Sequence, residues 1–425
     1  MRGGPNELLK LSHKKQFVSR IFHHFLAVST LTANALTIRA SRVKLRPLST
    51  TPFAGVVSCL TMRTVFWDFE SHELKMIDQR RLPGSLEVVS FRTHADVAEA
   101  IRSMTVRGAP AIGVAAAFGL ALAANESRAQ ATAMLLSDLE TAARTLKASR
   151  PTAINLAWAV DNVMRIAYSV SGSIEELRIA VLNEAQRMAD EDVEINQRIG
   201  QHGAALIDDG DTIIHHCNTG ALAVVDWGTA LGVIRTAHGQ GKRVHVLVDE
   251  TRPRLQGARL TAWELEQYGI SYEIISDNMA GFFLSRGQVQ KVLFGADRIA
   301  ANGDVANKIG TYMLALAAHD NRVPVYSVAP TSSIDLSLKD GSQIPIEERD
   351  PDEVLGLQFH GERVAPVNAK ARNPAFDVTP NRLITAIVTE NGIVRPPFDV
   401  NLRKIAGEGF VPAQGDHKGR PYKEK

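Results

Sequence analysis

Between Lys291 and Lys308 the chain reads KVLFGADRIAANGDVANK. The apolar run Val292-Leu293-Phe294 fits a buried strand, and after Gly295-Ala296 it leads to a carboxylate, Asp297, a candidate proton carrier. Taken alone, Asp297-Arg298 reads more readily as a salt-bridged pair, and Lys308 as a solvated lysine. Further on, Asn307-Lys308 stands at the head of a helical pattern, Ile309 to Ala318. There an amide and a cation would join the free N–H groups of a helix start in holding an anion. A second stretch, His215 to Gly220, places Cys217 at the end of another apolar run and before an apolar helical pattern from Ala221, where a thiol's pKa can fall. A plain buried cysteine is the simpler alternative. Alternation also puts His215 and Cys217 on one side of a strand, two metal ligands without a recognisable third. In a third stretch, Val106 to Pro110, Pro110 suits the first turn of an Ala-rich helix. That leaves the N–H groups of Gly108 and Ala109 beside the Arg107 guanidinium, the makings of a phosphate cradle. Arg150-Pro151-Thr152 opens another helix in the same manner, although a solvated arginine would look no different.

The elements that must position these groups divide the chain in two. From Met62 to about Phe91 the pattern predicts short strands with a turn at Leu82-Pro83-Gly84. Helices follow at Ala95–Met104, Ala109–Ala124, Ala129–Ala148, Ala153–Tyr168 and Ser173 to about Asp208. From Asp211 the rhythm changes to short apolar strands, Thr212–Cys217, Val244–Asp249, Tyr272–Ser276, Val292–Phe294, Val325–Ala329 and Ile384–Thr389. Helical patterns alternate with them at Ala221–His238, Leu260–Tyr268, Met279–Leu284 and Lys308–Ala318. The fold class is α/β: a mainly helical N-terminal domain with a few short strands over 62–205, then a Rossmann-like, doubly wound parallel-sheet domain over 206–405. Ligands on such sheets bind beyond the carboxyl ends of the strands. The residues that close them are Cys217, Asp249, Asp277 and Asp297. There is no GxGxxG and no GxxxxGK[ST], so no dinucleotide or nucleoside triphosphate is indicated.

Composition narrows the function further. With 45% apolar and 22% charged residues, the 425-residue chain belongs among globular proteins. Nine Lys and Arg against Glu7 alone give residues 1–62 a charge of +8, which leaves −6 on the remaining 363. An acidic body argues against a nucleic-acid groove. Two distant cysteines, Cys59 and Cys217, offer no disulfide framework and suit a reducing compartment. The longest apolar run, Ala109 to Ala124, is too short and Ala-rich for a membrane span and reads as a core helix. Residues 1–61 have the composition of an organelle transit peptide. The change of character at Met62 favours an upstream start codon or a disordered leader instead. The tail, 406–425, reads as disordered.

Seven segments in one order carry a resemblance: RGAPAIGVAAAFG (107–119), SRPTAINLAWAV (149–160), HCNTGALA (216–223), DETRPRLQGARLTAWEL (249–265), GADRIAANGDVANKIGTY (295–312), IPIEERDPDEV (344–354) and NPAFDVTP (373–380). Together they resemble the S-methyl-5-thioribose-1-phosphate isomerase family over about Met62 to Asn401. The resemblance implies that Cys217 and Asp297 are the catalytic pair and that Arg107, Gly108, Ala109, Arg150, Gln256, Asn307 and Lys308 bind a sugar phosphate. It also implies a cytoplasmic homodimer acting on a small molecule, without metal or redox cofactor, in methionine salvage.

In the substrate of that family the anomeric oxygen is esterified, so the ring cannot open to an aldehyde. Asp297 would have to protonate the ring oxygen, which requires a carboxylic acid kept neutral by apolar surroundings. The hydrogen at C2 would then reach C1, as a proton through an enediol or as a hydride, with Cys217 as shuttle or as electrostatic stabiliser. Two rivals share the scaffold. One is an isomerase of ribose 1,5-bisphosphate or 5-deoxyribose 1-phosphate. The other is a non-catalytic alpha, beta or delta regulatory subunit of the translation-initiation nucleotide exchange factor, which would have no chemical need for the Cys217 and Asp297 pair.

Overall fold

A computed structural model of the chain describes residues 63–406, Thr152 excepted. The expected leader, 1–61, and the tail from 407 lie outside the described residues.

The chain opens with three antiparallel strands in sequential order, β1 (Val65–Asp68), β2 (Glu73–Ile77) and β3 (Val88–Phe91). Five helices follow: α1 (His94–Arg102), α2 (Ala109–Glu126), α3 (Thr132–Ser149), α4 (Ile154–Ser169) and α5 (Ile174–Ala204). Each begins and ends within about four residues of the expected place. α2 is the axis of this half: fourteen of its eighteen residues are buried, and α1, α3, α4 and α5 all pack on it. Its small side chains let neighbouring backbones approach on every side, so its apolar length is spent inside a protein core. Trp67 stacks on Phe118 of α2 with ring centroids 5.9 Å apart; truncating Phe118 to Ala would cost about 3–5 kcal/mol. α5 starts with a complete capping box, Ser173 and Glu176 each accepting a backbone N–H of the other's turn.

The second half is built on a seven-stranded sheet. β4 (Thr212–His215), β5 (His245–Asp249), β6 (Ser271–Ile275) and β7 (Lys291–Phe294) come first. Next is a small antiparallel excursion, β8 (Arg298–Ala300) and β9 (Val305–Lys308), followed by β10 (Val325–Val328) and the two-residue β11 (Ile334–Asp335). A two-stranded hairpin, β12 (Gln358–Phe359) and β13 (Glu362–Arg363), precedes β14 (Phe376–Thr379), β15 (Ala386–Thr389) and β16 (Gly392–Val394). The order across the main sheet is β16-β15-β10-β7-β4-β5-β6. All neighbours are parallel except the edge pair β15 and β16. A second sheet, β11-β8-β9-β14, stands beside it. The helices α6 (Ala230–Gly239), α7 (Ala262–Tyr268), α8 (Ala280–Ser285) and α9 (Thr311–Asp320) link the strands.

From the central β4 the chain winds outward through β5 and β6, then returns to β7 on the other side and winds outward again. The topological switch point therefore lies between β4 and β7. Every residue of β7, β10 and β15 is buried, as strands covered on both faces must be.

Candidate active site

Open parallel sheets place ligands at the switch point, beyond the carboxyl ends of the strands. β4 and β7 pair there, His215 opposite Leu293, so the residues that follow them, Cys217 and Asp297, flank the crevice. Cys217 is buried and sits in the left-handed region at φ 69°. Its N–H donates to Thr251 Oγ1 at 2.9 Å and its carbonyl accepts from Thr261 Oγ1 at 2.8 Å. Thr251, just past β5, is itself left-handed at φ 62° and fully buried. Such a conformation costs on the order of 1–3 kcal/mol, most for a β-branched side chain, and persists only where the surroundings over-determine it. Here they do, because Thr251 N–H donates to Asp277 Oδ1 at 2.7 Å and Thr251 Oγ1 donates to the Asp249 carbonyl at 3.0 Å.

Lys308 brings a buried cation to the same crevice. Its Nζ donates to the Ala375 carbonyl at 2.8 Å and lies 4.7 Å from the centre of the Phe376 ring. Burial pushes the Cys217 thiol up, and the charges of Lys308 and Arg107 oppose it. Burial likewise raises the half-buried Asp297 carboxyl, against the pull of Lys308, Arg150 and Arg298 and with the help of Glu347. Burial lowers the Lys308 ammonium, which Cys217 and Asp297 support. The cations of Arg107, Arg150 and Lys308 act on the same crevice as Cys217 and Asp297, a charge balance that suits an anionic ligand.

The helical half supplies the rest of the crevice. Arg107 donates from Nη1 to the Asn218 carbonyl at 3.0 Å and from Nη2 to Asn218 Oδ1, while its buried Nε has no protein partner. Gly108 precedes α2 at φ 98°, and a Cβ there would stand 2.2 Å from the Ala223 carbonyl oxygen; only glycine fits. α2 has no side-chain cap, so its first N–H groups, at Ala109 onward, face this junction. Gln256, at the head of the π-helical turn Gly257–Thr261 that leads into α7, is buried with its Oε1 unpartnered. Arg150 Nη2 lies 3.8 Å from Glu347 Oε2.

The structure brings Arg107, Arg150, Cys217, Asp297 and Lys308 within reach of one another's charges, with three differences from the expected local structure. Asn307 and Lys308 lie in β9, paired with Asp377 and Phe376 of β14, and not at a helix start. α9 begins at Thr311, because the helical periodicity extends back over a polar strand whose pairing the sequence does not display. Asn307 Nδ2 donates to Thr311 Oγ1 at 3.0 Å. The expected helix from Ala221 is only a 3₁₀ turn, Ala221–Ala223. Its N–H groups already hold an anion, the buried Glu264 carboxylate, which accepts from Ala221 N at 2.7 Å and from Asn218 Nδ2 at 2.9 Å. Arg150 follows the end of α3, and α4 starts at Ile154.

Glu264, Thr251 and Glu347 were missed by sequence reasoning; only Glu264, an acid on the apolar face of a short helix, left a signal. His216, Asp249 and Asp277 bring ligand atoms within 4.8 Å of one another, yet each is engaged as a hydrogen-bond partner. His216 Nδ1 is 2.8 Å from Asp249 Oδ2, whereas tetrahedral ligands at zinc distances stand about 3.3 Å apart. Asp277 accepts from the N–H groups of Thr251 and Arg252, both at 2.7 Å. His215 turns its Nε2 to Thr219 Oγ1 at 3.4 Å.

Fold and geometry together define an α/β protein in which Asp297, Cys217 and the cations Arg107 and Lys308 meet at the switch point of a doubly wound sheet. The model of the initiation factor 2 subunit family matches residues 105–396, and the chain belongs to that family. It is 52% identical over 346 residues to a protein of Thermotoga maritima named methylthioribose-1-phosphate isomerase, covering 81% of this chain and 99% of that one. A protein of the same name from Chloroflexus aurantiacus is 53% identical over 347 residues, covering 81% and 99%. Among solved structures, 5-methylthioribose 1-phosphate isomerase from Pyrococcus horikoshii is 48% identical with a TM-score of 0.77, covering 81% of this chain and 95% of that one. A structure described as translation initiation factor eIF-2B, subunit delta, from A. fulgidus is 43% identical with a TM-score of 0.75, covering 81% and 99%.

Proposed function

We propose that this chain is an aldose–ketose isomerase that converts S-methyl-5-thio-α-D-ribose 1-phosphate to S-methyl-5-thio-D-ribulose 1-phosphate, in methionine salvage. The observation that carries the reading is the pairing of Cys217 and Asp297 at the strand ends that flank the switch point, with a buried Lys308 between their fields. The relatives of the same name cover nearly the whole of their own length.

In the reaction Asp297, its carboxyl raised by burial, gives its proton to the ring oxygen as the C1–O4 bond breaks. C1 becomes an oxocarbenium centre that still carries the phosphate. Hydrogen then passes from C2 to C1, and the 2-hydroxyl proton returns to the Asp297 carboxylate, which leaves the ketone. Cys217 lies at that step, as the shuttle of a proton or as the group that stabilises the charge developed during hydride transfer. Arg107, Arg150 and Lys308, with Gly108, Ala109, Gln256 and Asn307, hold the sugar phosphate and orient it, although none of them need touch C2. Residues 206–405 act as the catalytic domain and 62–205 closes the phosphate side. The protein works as a cytoplasmic homodimer.

The test is turnover of methylthioribose 1-phosphate by the full chain, with ribose 1,5-bisphosphate and 5-deoxyribose 1-phosphate in parallel. Turnover fastest on the methylthio sugar is expected. Preference for another sugar phosphate would keep the chemistry and change the pathway. A folded protein that turns over none of them would return the regulatory-subunit reading, which the A. fulgidus description keeps in view.

A further inference from the structure

The mechanism leaves unused the residue that joins its two halves. His216 precedes Cys217 at the end of β4, and Ile309 follows Lys308 at the end of β9. The His216 ring, 1% exposed, lies between them, with Nδ1 2.8 Å from Asp249 Oδ2 and Nε2 3.0 Å from the Ile309 carbonyl oxygen. A carbonyl oxygen only accepts, so Nε2 must carry a proton. The Gly310 backbone packs closely on the ring, where a Cβ would stand 2.9 Å from its Cε1. The Ile309 turn is held on its other side as well. Ile309 N–H donates to the Ala375 carbonyl at 3.0 Å, the acceptor Lys308 Nζ also uses, and Gly310 N–H donates to Asp377 Oδ2 at 2.7 Å.

We infer that His216, buttressed by Asp249, is a positioning residue that fixes the distance between the Cys217 thiol and the Lys308 ammonium by tying the end of β4 to the end of β9. It touches no reacting atom. Its effect is geometric: reacting groups must be held to within a fraction of an ångström, and a displacement near 1 Å can cost about a hundredfold in rate. The charged groups around the ring, Asp249, Asp277 and Asp377, are all acids, while the adjacent His215, pushed down to about 3 by burial, is neutral. Burial opposes a charge on the ring, while Asp249, Asp277 and the Ile309 carbonyl favour it.

This inference rests on the isomerase reading, so wild-type turnover is measured first; absence of turnover sinks that reading and leaves nothing to position. With an active wild type, His216→Gln and His216→Asn separate the two ring nitrogens, because Gln can reach the Ile309 carbonyl and Asn can reach only Asp249. Expected are a kcat at least about tenfold lower for His216→Asn with KM within about threefold of wild type, and a kcat for His216→Gln within about fivefold of wild type. A purely structural histidine would lower Tm in both variants alike and leave the kcat of the folded protein unchanged, and that result would overturn the proposal. Equal kcat losses in the two variants would overturn it too. Should either variant fail to fold, ¹⁵N-histidine spectra of the wild type decide: a slowly exchanging His216 Nε2–H is required, and an unprotonated or freely exchanging Nε2 refutes the bridge.

Discussion

At Asp297 the balance of neighbouring charges sets the pH profile. Its carboxyl is raised from 3.8, first by burial and last by Glu347, while Lys308, Arg150 and Arg298 pull it down. The proposed mechanism uses the protonated form, so kcat should fall as pH rises through the raised value. The same sign governs stability: this group's contribution is full below 3.8 and is lost as pH rises through its folded value. Replacing Glu347 by Gln removes a charge that pushes Asp297 up, so the alkaline limb of kcat should move to lower pH, with Asp297→Asn as the reference variant that loses about 10²–10⁴-fold in kcat. A limb that stays in place in Glu347→Gln would exclude Asp297 as the group it reports. Of these residues the sequence displays Asp297 and Cys217 plainly, because each closes an apolar run. Glu347 could not be read as a neighbour of Asp297, since it lies fifty residues away in an irregular stretch, where it also faces Arg150. Asp249 was legible as a strand-closing acid but not as the partner of His216, because pairing across β4 and β5 is fixed by register, which no local pattern reveals.

Elements can be perturbed without touching the chemistry, which makes them controls. Ser173→Ala removes half of the α5 capping box on an exposed turn. It should cost about 1 kcal/mol of stability and leave kcat and KM unchanged. Gly108→Ala acts on an element and the site together: a left-handed φ and a Cβ that would meet the Ala223 carbonyl force α2 away from the 221–223 turn. A loss of about 1–3 kcal/mol and a raised KM are expected, measured by thermal unfolding and steady-state kinetics. On α5, Asp192 accepts the Val225 N–H at 2.7 Å and is pushed up to about 7 by burial. Its stabilising share is present below 3.8 and is lost as pH rises to about 7. Asp192→Asn should therefore be more stable than wild type above pH 8, by on the order of 1 kcal/mol. The strands of the main sheet were legible because burial on both faces makes them uniformly apolar. β9 was not, since its Asn307 and Lys308 are polar and are buried by pairing with β14, seventy residues on. The Ala221 pattern failed as a helix because Glu264 takes the N–H groups and the chain breaks at Gly228 before α6 begins.

At the scale of the molecule the site is a seam between cores. One apolar cluster gathers β1 to α5, and two others gather the faces of the main sheet. Arg107, Gly108 and Arg150 come from the first side, and Cys217, Gln256, Asp297, Asn307 and Lys308 from the other. Ligand binding across such a seam adds stability as RT ln(1 + [L]/Kd), about 2.7 kcal/mol at a hundred times Kd. The phosphate group alone should show this. Inorganic phosphate should raise the Tm of the wild type above a sodium chloride control of equal ionic strength. The shift should shrink in Arg107→Met and in Lys308→Met, because each removes a cation from a different side of the seam. If Arg107→Met keeps the full shift while Lys308→Met loses it, the sheet side binds the anion alone and the helical side serves only as a wall. Net charge could not have foretold the result, since residues 63–425 carry −6 in total. What the fold adds is concentration: it draws Arg107, Arg150 and Lys308 around Cys217 and Asp297, where burial removes the water that would otherwise screen them.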